Sequence, residues 1–138
     1  MASIERKKMD NALKQVVIPV LREQGFKGSL THFRRMNENN IDLLTFEFDK
    51  WGGSFTVAVG ICPKEGVTWE GEKIPLNKIN VYDVEDRLKL GNKTFADGNT
   101  IVFDYENAKT EEDYKRVAEE VLSLLKTSDV SWITSLVK

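Results

Sequence analysis

From Leu43 to Ile61 the chain reads LLTFEFDKWGGSFTVAVGI, two alternating apolar runs on either side of Gly52-Gly53. A Gly-Gly pair between two such runs signals a β-hairpin, because glycine adopts the positive φ that tight primed turns require. With Gly52 and Gly53 at the tip, Trp51 opposes Ser54, Lys50 opposes Phe55, Phe48 opposes Val57, Phe46 opposes Val59 and Leu44 opposes Ile61. Large apolar residues then share one face. The other face carries Thr45, Glu47, Asp49, Thr56, Ala58 and Gly60. A slip of one residue would turn every apolar side chain to the wrong side, so the facing is strongly specified.

Working outward, residues 31–36 predict a preceding strand, with Asn37-Glu38-Asn39-Asn40 as its turn into the hairpin. This register sets Met36 against Ile41, Arg35 against Asp42, Phe33 against Leu44 and Thr31 against Phe46. Phe33 joins the apolar face, while His32, Arg34 and Met36 join the outer one. Both hairpins select the same core face, which is the consistency between levels expected of a foldable sequence.

Upstream, Ser3 is an N-cap for a helix reaching about Gln24, with Met9, Leu13, Val16, Val17, Val20 and Leu21 as its apolar stripe. Pro19 lacks the amide donor and clashes with the carbonyl of Gln15, which predicts a kink. Gly25 suits the position after the helix, and Phe26 is expected to plug its end.

Downstream, Pro63, Gly66, Gly71 and Pro75 mark residues 62–78 as irregular. Residues 79–84 read as a fourth strand with Ile79 and Val81 on one face. Turns are expected at Gly91-Asn92 and Asp97-Gly98, and a short strand or extended segment at 100–105. Thr110 caps a helix bearing Tyr114, Val117, Ala118, Val121, Leu122 and Leu125, with Glu111, Glu112 and Asp113 placed favourably in its first turn. Ser128 or Asp129 opens a last short helix with Ile133, Leu136 and Val137. The whole predicts one α+β domain over residues 1–138: an antiparallel meander of four to five strands, with an N-terminal helix and two C-terminal helices on one face.

The 138 residues fit one domain of common size, and a net charge of −2 offers no global attraction to nucleic acid or anionic membrane. Basic residues concentrate in the first part of the chain and acidic residues after Tyr82, a pattern read as solvated faces. The single cysteine, Cys62, excludes an internal disulfide and reads as a quiet thiol. There is no apolar run of membrane-spanning length and no signal-peptide pattern, so a cytoplasmic protein is expected.

No motif specifies a reaction. Phosphate loops, dinucleotide fingerprints and nucleophile elbows are absent, and one His with one Cys does not make a usual zinc site. Asp83, Glu85 and Asp86 lack the loop of an oxygen-ligand cage. Neither metal nor cofactor is expected. His32 falls opposite Thr45, near Arg34 and Glu47. A general base held by Glu47 is the functional reading, and a polar side chain on a wet strand face is preferred. Arg34-Arg35 offers a phosphate grip, but Arg35 has Asp42 as an exposed partner, a contact worth about 0.2–1 kcal/mol.

The outer face is the more informative feature. Ala58 and Gly60 are small and lie beside Thr45 and Glu47, leaving a shallow depression. Met36, Ile41 and Leu43 add apolar area at one end and Trp51 at the other. Either this is a partner surface, or residues 62–78 or the C-terminal helix with Trp132 cover it. Trp69, in the Gly66–Gly71 loop, is a partner anchor in one reading and a seal for a core edge in the other.

Gln24-Gly25-Phe26-Lys27, Phe33-Arg34-Arg35, Phe46-Glu47-Phe48 and the run 55–61, ending in Gly60-Ile61, resemble an uncharacterised bacterial domain-of-unknown-function family, number forty-three-oh-four. The resemblance lies mainly in the first half of the chain. In the second half, Asp83, Arg87 and Leu88 match the family pattern over 82–88. The resemblance implies an α+β fold and supplies no activity or catalytic residues.

The expected function is a non-enzymatic binding or interaction module, immunity- or adaptor-like, with another protein as partner and Met36, Leu43, Thr45, Ala58, Gly60 and Trp69 as its contact residues. The alternative is a small-molecule-binding protein or enzyme with a cleft between the sheet and segment 62–105, using Tyr82, Asp83 and Arg87. Nucleic acid ranks third, on the basic N-terminal helix alone, and the oligomeric state is open.

Overall fold

The computed structural model describes residues 3–36, 38–84, 87–89 and 102–125. Helix α1 spans Ile4–Val16 and α2 spans Ile18–Glu23. Ser3 Oγ accepts the Arg6 amide at 3.0 Å, supplying the N-cap its side chain promised. The single helix expected to reach about Gln24 is instead divided at Val17. Pro19 can only sit in a first turn without cost, and it does so in α2. Gly25 has φ of 96°. Its amide donates to the Arg22 carbonyl and the Phe26 amide to the Leu21 carbonyl, at 3.1 and 3.0 Å. This paired closure of a helix end needs a left-handed residue at Gly25. Phe26 follows directly and is buried.

The strands are β1 (Lys27–Ser29), β2 (His32–Met36), β3 (Asn40–Phe48), β4 (Ser54–Pro63), β5 (Thr68–Trp69), β6 (Glu72–Lys73), β7 (Arg87–Lys89) and β8 (Phe103–Asp104). The main sheet runs β1-β2-β3-β4-β7, with β8 also pairing β4; β5 and β6 form a separate ladder. All pairings are antiparallel. The β2–β3 register is the one expected, with Met36 against Ile41, Arg35 against Asp42 and Phe33 against Leu44. The β3–β4 register differs from expectation by two residues: Phe48 opposes Phe55, Phe46 opposes Val57 and Leu44 opposes Val59. Asp49 is the cause. Its Oδ1 accepts the Trp51 amide at 2.9 Å and its carbonyl accepts the Gly52 amide at 2.9 Å. That side-chain turn ends the strand early, and residues 50–53 form the loop. Because the shift is even, every side chain keeps its predicted face.

The inner face carries the larger core. Phe33, Leu44, Phe46, Phe55, Val57, Val59 and Phe103 pack with Met9, Leu13, Val17 and Leu21 of the N-terminal helices. Helix α3 (Glu111–Leu124) lies beside α1 and adds Tyr114, Val117, Ala118 and Val121. Thr110 and Asp113 close its N-terminus as a capping box. Phe55 stacks on Phe103 with ring centres 5.2 Å apart. Each such buried side chain contributes about 1.5–3 kcal/mol relative to exposure. The second C-terminal helix, the turns at 91–92 and 97–98, and Trp132 lie outside the described residues.

The outer face is covered by the chain itself. After β4, residues 64–84 fold back across it through the β5–β6 ladder and two 3-10 turns, Leu76–Lys78 and Val81–Asp83. Ile79, Val81 and Val84 close over Ile41, Leu43, Ala58 and Cys62 to make a second, smaller core. Residues 79–84 are therefore not the expected strand. Asn80 Oδ1 accepts the Tyr82 amide and Asp83 Oδ2 accepts the Asn80 amide. These two bonds offer the backbone a turn in place of a ladder. Ile79 and Val81 are nevertheless both fully buried. The strand adjoining β4 is β7, where Gly60 pairs with Arg87 and Ala58 with Lys89.

Candidate functional site

At the margin of the second core, polar side chains from β2, β3 and the 80–83 turn converge. His32 Nδ1 and Thr45 Oγ1 share a hydrogen bond of 2.9 Å. The His32 ring meets the Tyr82 ring edge to face, centres 6.1 Å apart. The Tyr82 hydroxyl donates to Glu47 Oε2 at 2.8 Å. One turn away, Arg34 donates from Nε and Nη2 to the Ile79 carbonyl at 3.1 and 2.9 Å. Burial, first, and the Arg34 guanidinium beside it hold the His32 imidazole below its ordinary value, against a smaller upward pull from Asp83. A neutral imidazole suits a bond to a buried hydroxyl. Chemically, this cluster ties the covering segment to the sheet.

A second feature is exposed rather than convergent. The β5–β6 ladder is closed by Glu70 and Gly71, with φ of 51° and 83°, the signs of a tight type I′ turn. Its base is anchored: the Ile74 amide donates to the Val67 carbonyl at 3.0 Å, and the Gly66 amide to the Pro63 carbonyl at 2.8 Å. Val67, Ile74 and Leu76 pack on the second core. Trp69 pairs with Glu72, and Thr68 with Lys73. The end of the Lys73 stem lies near Gly66, and Lys73 is exposed. Directly opposed residues share a face and neighbours alternate, so Trp69 and Glu72 lie on one face of the ladder and Thr68 and Lys73 on the other. Trp69 is 72% exposed. Met36, 53% exposed, stands in the cross-strand row Met36–Ile41–Cys62, at the end of the sheet from which this segment departs.

Comparison with known proteins decides the family. Residues 17–135 match the family described as Domain of unknown function (DUF4304). The chain belongs to that family. The match runs through both halves of the chain, further than the motifs of the first half reach. No curated protein and no solved structure matches it.

In this DUF4304 domain the residues singled out from the sequence divide sharply. Leu43, Thr45, Ala58 and Gly60 are buried, so the exposed depression expected around Met36, Leu43, Ala58 and Gly60 does not exist. The correction has a simple cause: small side chains at Ala58 and Gly60 let the chain's own segment approach closely. Met36 and Trp69 remain at the surface. Tyr82, 55% exposed, and Asp83 flank the polar cluster rather than a cleft, since apolar side chains fill the space between the sheet and residues 76–84. Arg87 pairs with Gly60 through the backbone. Glu85 and Asp86 lie outside the described residues.

Two residues have roles the sequence reading missed. Arg34 holds the Ile79 carbonyl, a contact across 45 positions that no local pattern announces. Asp42 is fully buried, and Arg35 meets its Oδ2 from Nε and Nη2 at 2.9 and 2.6 Å. The pair was expected to be exposed. The end of α2 covers it, with Arg35 Nη1 donating to the Gln24 carbonyl at 3.2 Å and the guanidinium over the Phe26 ring. Both arginines of the suspected phosphate grip are thus engaged within the fold.

Proposed function

We propose that this DUF4304 domain is a non-enzymatic binding module, immunity- or adaptor-like, that docks another protein through the Trp69 hairpin, with Met36, at the end of the sheet from which that segment departs, as a second contact. The single observation that carries the reading is Trp69: a large aromatic ring, 72% exposed, on a tight turn whose base is packed into a core. A rigid aromatic anchor loses little conformational entropy on docking, which is why tryptophan recurs among residues that dominate binding energy. A bacterial, cytoplasmic setting belongs to the same proposal. The buried free thiol of Cys62 suits a reducing compartment.

The test is capture of partners from native lysate by the wild-type chain and by Trp69→Ala, followed by affinity measurement on the protein recovered. Trp69→Ala is expected to change stability by no more than about 0.5 kcal/mol and to weaken the partner by tenfold or more. Equal affinity of the two chains rejects the hairpin as the contact. The alternative, a small-molecule or enzymatic site in the cleft between the sheet and segment 62–105, has the His32–Tyr82 cluster in its favour and the packed apolar interior beneath it against.

A further inference from the structure

The surroundings of Trp69 say what kind of surface it fits. Trp69 and Glu72 are directly opposed on the β5–β6 ladder. Glu70 follows at the turn, with φ of 51° holding it at the tip. Both carboxylates are exposed. On the other face of the ladder is Lys73, exposed, with the end of its stem near Gly66. The hairpin therefore separates its charges by face: the cation lies on the face opposite the indole, and two anions flank the exposed indole. An indole bordered by carboxylates is repelled by polyanions such as nucleic-acid phosphates and anionic lipid headgroups. It is matched by a pocket whose floor is apolar and whose rim carries arginine or lysine. There the rim cations pair with Glu70 and Glu72 and one of them can sit over the indole face.

We infer that the Trp69 hairpin recognises a protein surface in which an apolar slot is rimmed by arginine or lysine. The inference rests on the hairpin being the partner contact and adds the chemistry of that partner.

The experiment pans a phage-displayed library of randomised peptides on the immobilised full chain, on Trp69→Ala and on the double variant Glu70→Lys/Glu72→Lys. Far-UV circular dichroism and thermal melting check the fold of each. The expected clones are retained by the wild-type chain, combine basic with aromatic or aliphatic residues, and drop at least tenfold on either variant. Their retention also falls as salt rises. Clones lost with Trp69→Ala but neutral or acidic, or indifferent to the charge reversal, overturn the basic-slot inference and leave the hairpin contact standing. If no retained clone depends on Trp69, the hairpin contact itself falls, and this inference with it. In a parallel arm, Trp69-dependent retention on phosphatidylglycerol vesicles or on single-stranded DNA overturns the inference in favour of those ligands.

Discussion

On the inner face of the sheet, Phe33, Phe46, Phe55 and Phe103 meet two helices of more than three turns, α1 and α3. On the outer face, Ile41, Leu43 and Ala58 meet two 3-10 turns and a loop. The inner layer is held mainly by apolar packing, with the ion pair of Arg35 and the buried Asp42 where the end of α2 covers it. The outer layer is smaller and is held at its margin by polar contacts: Arg34 to the Ile79 carbonyl, Tyr82 to Glu47, His32 to Thr45. A cover that adds few apolar residues per residue ordered relies more on such fastenings, because backbone ordering costs about 1–2 kcal/mol per residue. The difference teaches where stability and where local opening reside. The inner face should set the global stability, and the outer cover should be the first part to loosen.

The sharpest way to break this hierarchy is a matched pair of truncations. Phe55→Ala removes a ring in contact with Phe46, Phe48 and Phe103 and should cost about 3–5 kcal/mol in urea unfolding. Ile79→Ala, in the outer core, should cost about 2 kcal/mol, at the low end for such a change because a short turn can settle into the space. It should also speed hydrogen exchange in residues 76–84 well before that of β3. An Ile79→Ala loss equal to that of Phe55→Ala would mean the two faces are energetically equivalent. Tyr82→Phe deletes the hydroxyl on Glu47 and keeps the ring on His32; a loss of about 1 kcal/mol is expected, read by thermal melting. No measurable loss would show that the ring alone fastens the turn.

The smallest effect concerns pH. Burial and Arg34 lower the His32 pKa in the folded state, so the unfolded chain binds a proton more readily. Stability attributable to His32 is then fully present above the unfolded value of about 6.5 and is lost as pH falls toward the folded value. A chemical-denaturation series from neutral to mildly acidic pH should show a decline that His32→Gln abolishes. A decline that persists in that variant would move the pH sensitivity elsewhere, away from the outer layer.

How legible each region was follows from how local its determinants are. The β2–β3 register could be read because the Asn-rich turn and the Phe33–Leu44 match agree, and the structure has that register. The β3–β4 register was displaced by two because an Asp49 side-chain bond outweighed the Gly-Gly tip. Ser3, Gly25 and Thr110 were legible as caps, since each acts within four residues. Among candidate site residues, Trp69 stood out by type and loop context and is exposed. Leu43, Ala58 and Gly60 were placed on the right face, yet that face is covered. Nothing in strand periodicity says whether a face meets water or another segment. Asp42 illustrates the same limit: its partner could be read from register, but its burial depends on where α2 ends in space.

By itself the sequence determined parity and punctuation. Side-chain alternation has a period of two, so the assignment of residues to faces survives even a register error of two. Caps and breaks at Ser3, Pro19, Gly25 and Thr110 follow from backbone chemistry within a single turn. Tertiary structure alone decided what lies on each face and which polar groups meet. The contacts of Arg34 with Ile79, and of Tyr82 with Glu47, join residues 45 and 35 positions apart. Their energies exist only once the chain has folded back on itself, and no local propensity carries them.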